Sequence, residues 1–164
     1  MNQLNIEIIN RKAPYPVVQI EGLPHLYYFH TDYGVDYEIS IKANDMFIPS
    51  GAYTLDIRNM YNQTSPGDDK LRLTLLTLIE EFFRCNNDVM LYVTETKDKK
   101  QAVRNRLFVR WFNMYELRHQ YVIRTAQGKM DGQMNFLAII ARKDNPLLQI
   151  KIEEFEETVR FLFE

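Results

Sequence analysis

The sequence predicts an α+β fold: one domain spanning residues 1–164, with a mostly antiparallel sheet and helices packed on one face. Three observations carry this. Strand-like runs fill the first sixty residues, glycine-containing turns join neighbouring runs as hairpins, and helical stripes separate them in the order β-β-β-α-β-α-β-β-α rather than as regular βαβ crossovers. With 164 residues, the chain can bury about two-thirds of its unfolded surface. Neither half alone offers a comfortable core, so both runs of strands are expected to join one sheet. A hydrophobic fraction of 46%, with ten Tyr and ten Phe, excludes a disordered chain.

Residues 26–31 and 35–42 flank Asp32-Tyr33-Gly34 and read as an antiparallel hairpin. In the second run Val35, Tyr37, Ile39 and Ile41 alternate with Asp36, Glu38, Ser40 and Lys42, which turns one face inward and one to water. A third strand, 52–58, follows the turn signal Pro49-Ser50-Gly51, and shorter strands fit near 4–9 and 17–20. Asp68 or Asp69 can cap a helix over 70–85 that gathers Leu71, Leu75, Leu78, Ile79 and Phe82 on one face. Glu80 and Arg84 stand at i,i+4 on another face. A buried strand at 89–93 and a helix at about 98–116 follow, then strands 119–126 and 134–141 joined by 127–132. The last helix is expected to start with Asn145 as its cap and Pro146 at the first helical position. Its stripe of Leu148, Ile152, Phe155, Val159 and Leu162 should dock on the sheet, leaving Ile150 and Phe161 roughly opposite as a patch suited to self-association.

Residues 98–116 are the most informative segment. At about 100° per residue, Val103, Leu107, Phe108, Trp111, Met114 and Tyr115 cover one contiguous arc, while Lys99, Arg106, Arg110 and Asn113 form a cationic stripe opposite. Arg104 breaks the partition by projecting into the apolar arc between Trp111 and Phe108. A buried guanidinium needs a partner. Three arrangements supply one: a carboxylate or sheet carbonyls, an anionic ligand held bidentately in a pocket, or an escape to the surface along the tryptophan face.

Between Lys97 and Arg118 seven cationic residues meet two carboxylates, Asp98 and Glu116, a local sum of +5 in a chain whose net charge is −2. The whole chain therefore gives no polybasic argument for nucleic acid or membrane, whereas this segment suits an acidic protein surface or the phosphates of a nucleic acid. A solvated face, or pairing with the Glu-rich last helix, is the plainer alternative. The expected function is a non-catalytic binding or regulatory module that uses Lys99, Arg106 and Arg110, with Arg104 as a further candidate.

The run Lys100-Gln101-Ala102-Val103-Arg104-Asn105-Arg106-Leu107-Phe108 with Arg110-Trp111-Phe112, after a Tyr-rich hairpin, resembles a family of small uncharacterised proteins found mainly in Bacteroidetes. The resemblance implies a bacterial, cytoplasmic origin and no particular catalytic residues.

The competing function is a metal-dependent phosphodiesterase. Glu95-Thr96-Lys97 at a strand end is similar to the E-x-K half of a nuclease motif, in which two carboxylates hold Mg²⁺ and the lysine stabilises charge on phosphate. Its second carboxylate would have to come from Asp56 or Asp88. His25, His30 and His119 lack zinc-ligand spacing, and no Walker, G-x-G-x-x-G or G-x-S-x-G motif occurs, so no cofactor is expected. Cys85 is the single cysteine, the N-terminus shows no signal-peptide pattern, and apolar runs fall far short of the ~20 residues a membrane helix needs. A cytoplasmic protein is the expectation.

Overall fold

The computed structural model describes residues 1–94 and 101–163. Among these residues the elements are α1 (Ile6–Lys12), β1 (Val18–Gln19), β2 (Leu26–His30), β3 (Asp36–Asn44), β4 (Ala52–Asn59), α2 (Asp69–Cys85), β5 (Met90–Thr94), α3 (Gln101–Asn113), β6 (Tyr121–Met130), β7 (Gln133–Arg142) and α4 (Leu148–Leu162). The strand order is β1-β2-β3-β4-β5-β7-β6. The sheet is mostly antiparallel, with β4 and β5 running parallel. This is the predicted α+β fold. The residues group into two compact units, Met1–Lys42 with Asp56–Asn87 and Ala43–Leu55 with Asp88–Glu164.

In the first unit the N-terminal segment is helical, not the strand expected near 4–9. Asn5 caps α1 by accepting from the Ile8 amide at 3.1 Å, and Glu7 at its start and Arg11 and Lys12 at its end suit the helix dipole. These capping signals override the apparent apolar alternation. The β2–β3 hairpin pairs Leu26 with Ser40 through to His30 with Asp36. Tyr37, Ile39 and Ile41 are buried as the alternation demands. Tyr15, Phe29 and Tyr37 stack at centroid separations of 6.1 and 5.5 Å. Asp68 caps α2 through the Lys70 and Leu71 amides, and Leu71, Leu75, Leu78, Ile79 and Phe82 are all buried. The charges on α2 differ from the expected Glu80–Arg84 pair. Glu80 reaches Lys12 on α1, while Arg84 makes a two-pronged contact with Glu81 at 2.7 and 2.8 Å. Burial by itself would raise the Glu81 carboxyl. Arg84, the Asn5 amide and the Cys85 thiol outweigh it and hold that carboxyl below its ordinary range.

In the second unit β7 is buried at seven consecutive positions, Asn135 to Ala141. A strand buried on successive residues is covered on both faces, and here the helices do lie on both faces rather than on one. Leu91, Leu137, Ile139 and Ala141 form an aliphatic cluster with Ile48, Val89 and Phe155, against which Leu148, Val159 and Leu162 of α4 pack. Tyr92 and Phe136, of opposite alternation, face α3. Helix α4 begins two residues beyond the expected start. Asn145 accepts from the Leu147 amide at 2.8 Å and so closes the preceding turn, and Leu147 occupies the cap position. Lys151 is buried at 2% exposure, donating to the carbonyls of Ser50 and Gly51 and lying 3.4 Å from Asp88. Ile150 and Phe161 are exposed. The β6–β7 hairpin is tighter than the expected 127–132 loop. Met130 pairs with Gln133, and only Asp131 and Gly132 turn, with φ of 53° and 77°. Two positive φ values match the right-handed strand twist, so the strands run to the turn itself.

Candidate binding groove

Helix α3 seats itself on the sheet through aromatic rings. Phe108 stacks on Tyr92 of β5 with centroids 4.1 Å apart and planes at 14°. Phe112 meets Tyr121 of β6 edge-on at 5.8 Å. Tyr115, just past the helix, closes the cluster against both. Each such pair adds about 0.5–1.5 kcal/mol beyond area burial. Asn105 is buried on the same face, where its Oδ1 accepts a 2.8 Å hydrogen bond from the Thr94 hydroxyl. This bond to the amide oxygen lets a polar residue occupy the inner surface.

The helix is therefore turned by about one residue, ~100°, from the orientation its apolar arc predicts. Phe108 and Phe112 are inside at 5% and 2% exposure, whereas Val103 at 50% and Met114 at 57% face outward. Leu107 is also exposed, and Trp111 is half-buried. Arg104 is exposed, so the expectation that it projects into the buried face is corrected; the inner position next to it belongs to Asn105. Every apolar side chain of the expected arc is present, but the tyrosines of β5 and β6 select a different part of the circumference.

The cationic flank is as expected. Arg106 and Arg110 are exposed, and they border a groove of about 790 Å³ between α3 and the β6–β7 hairpin. Arg118 joins them from the short 3-10 turn Arg118–Gln120. Its guanidinium donates to the Asn113 carbonyl at 2.6 Å, which positions a cation at the C-terminal end of α3 where the helix dipole favours it. Asn105, Asn113 and Gln127 add amides to the walls, and Val109, Met114 and Phe136 supply an apolar lining. None of these nine lining residues is acidic. The combination of guanidinium forks, amide donors and a greasy lining can hold an anionic group while covering an adjoining apolar one.

Arg118 and Gln127 were missed as site residues by sequence reasoning. Arg118 was visible only as part of the local positive sum, and Gln127 lay in an expected loop. Glu95, Lys97 and Lys99 lie outside the described residues. Of the carboxylates considered beside them, Asp88 is engaged with Lys151 and the Val89 amide. Among the described residues no group of three or more His, Cys, Asp or Glu side chains is placed to hold a metal ion. No described helix is long and apolar enough to cross a membrane.

No curated protein matches the chain, and no solved structure does. Residues 67–157, more than half of the chain and including every residue that lines the groove, match DUF6169, a family of unknown function. The chain belongs to DUF6169.

Proposed function

We propose that the protein is a non-catalytic binding module whose groove beside α3 receives an acidic segment of a partner protein. One observation carries the reading: Arg106, Arg110 and Arg118 border an apolar-lined groove that, among the described residues, no carboxylate lines. An acidic peptide fits better than a nucleic acid for two reasons. Among the described residues, the three arginines of the groove make a short cationic spot rather than a track along a phosphate backbone. The ring in the lining, Phe136, is 8% exposed and packed against Tyr92, so it offers no open face on which a base could stack. A bacterial, cytoplasmic setting belongs to the same proposal, supported by the resemblance over residues 100–112 to a mainly Bacteroidetes family and by the single cysteine.

The test is fluorescence anisotropy with a labelled glutamate-rich peptide and, in parallel, a single-stranded oligonucleotide of equal charge. The peptide is expected to bind more tightly at low salt and to weaken as ionic strength rises past about 0.1 M, where the screening length falls to ~10 Å. Arg106→Glu with Arg110→Glu is expected to reduce binding by about tenfold or more. Peptide binding that is indifferent to salt and to this double substitution overturns the reading, and tighter oligonucleotide binding transfers it to nucleic acid. The exposed Ile150 and Phe161 support self-association through α4; sedimentation that shows the same mass for the parent chain and Phe161→Glu would remove it.

A further inference from the structure

We propose that the acidic segment binds as an added β-strand along the outer edge of β6, with alternate side chains turned toward the arginine groove. This rests on the groove reading and specifies the conformation and sequence pattern of what enters it. Among the described residues β6 is the last strand in the sheet order, and all ten of its residues pair with β7 on one side only. Its other edge is thus a long row of backbone donors and acceptors, the template that strand-adding peptides use.

The turn geometry states which groups face out. In a two-residue hairpin with both turn φ values positive, the closing pair exchanges its backbone hydrogen bonds, so Met130 and every second residue before it bond to β7. Ile123, Thr125, Gln127 and Lys129 therefore direct their N–H and C=O groups away from β7. Their side chains stand on the α3 side, because Gln127 lines the groove and Tyr121, of the same alternation, packs on Phe112. A strand laid on this edge keeps one of its own alternate rows on that side.

Charge selects the occupant. β6 carries no acidic residue and, by the same alternation, turns Lys129 to the groove side and Arg124 to the α4 side, while the groove beside it adds Arg106, Arg110 and Arg118. A second copy of β6 would bring like charges together, which is unfavourable across paired strands. An extended segment with glutamate or aspartate at every second position is complementary. Its intervening residues fall on the α4 side, beside Ala126 and Phe163 of the aliphatic cluster, and are matched by small or β-branched apolar side chains.

Three ten-residue peptides test this on the full chain: glutamate alternating with valine, the same ten residues in two blocks, and the alternating peptide with its backbone nitrogens methylated at every second residue. Binding is read from the fluorescence anisotropy of a label on each peptide and from amide exchange. The alternating peptide is expected to bind about tenfold or more tightly than either control: the methylated peptide loses one or two hydrogen bonds, and the block peptide cannot turn all its glutamates to the groove side at once. It should also slow exchange at Ile123, Thr125 and Gln127. Thr125→Pro, which removes one outward donor from an edge where proline is tolerated, is expected to weaken it by a similar factor. Should that variant fail to fold, the methylated peptide decides alone. Equal binding of all three peptides, each lost in Arg106→Glu/Arg110→Glu, overturns strand addition and leaves the groove intact. No binding of any of them at low salt overturns both.

Discussion

Helices α3 and α4 cover opposite faces of the same strands, and they were legible to very different degrees. On α4 one stripe dominates, with Ile150 and Phe161 outside it, and the residues of that stripe, Phe155 with Leu148, Val159 and Leu162, lie against the aliphatic cluster. On α3 the apolar residues form two stripes. Phe108 and Phe112 go inside, Val103, Leu107 and Met114 stay out, and Trp111 lies between. The difference teaches that amphipathic periodicity fixes how a helix sits only when a single stripe dominates it. With two, the choice passes to the surface underneath, and here that surface is a pair of tyrosines whose stacking and edge contacts suit phenylalanine rings.

Thermal and denaturant unfolding of variants can break this comparison. The largest effects are expected from Phe155→Ala on α4 and Phe112→Ala on α3, each costing about 3–5 kcal/mol as a buried ring is lost. A small loss at Phe112 beside a large one at Leu107 would restore the orientation that the sequence predicts for α3. Next comes Lys151→Met, which keeps the packing but leaves the Ser50 and Gly51 carbonyls without their donor; a cost of about 1–3 kcal/mol is expected. Gly128→Ala should destabilise by about 1–3 kcal/mol, because a β-carbon there would run into the Phe163 ring that closes the end of α4 over β6. Trp111→Ala should cost about 1–2 kcal/mol, as for a half-buried side chain. Leu107→Ala should fall within about 0.5 kcal/mol. The adjacent pair Leu107 and Phe108 is thus the sharpest internal control: neighbouring positions with opposite outcomes.

The fold was readable where local rules agree with one another. Asp68 capping α2, the β2–β3 hairpin around Gly34 and the five buried positions of α2 all follow from signals within a few residues of chain. The failures share a cause. Residues 4–9 look like a strand by alternation, yet the Asn5 cap makes them helical. The 127–132 segment looks like a loop by composition, but two residues suffice to turn. Arg84 pairs with Glu81, whose carboxylate is buried, while Glu80 is engaged by Lys12 of α1, far away in the chain.

The groove was half visible. Arg106 and Arg110 were on the expected cationic flank, since charge is the feature of a helix that water selects. Arg118, Asn105 and Gln127 join them only once β5, β7 and β6 lie side by side and α3 crosses above them.

By itself, the sequence determined most of the elements, though not α1 or the extent of the β6–β7 hairpin, together with the docking stripe of α4 and the positive character of the segment around α3, because spacing, capping and charge act over one or two helical turns. Tertiary structure decided which side of α3 is inside, that Arg118 and the hairpin complete a groove, and that β6 is the last strand of the sheet among the described residues. Those outcomes depend on strand neighbours far apart in the chain. The energy that settles them, ring against ring and backbone against backbone, exists only after the partners have met.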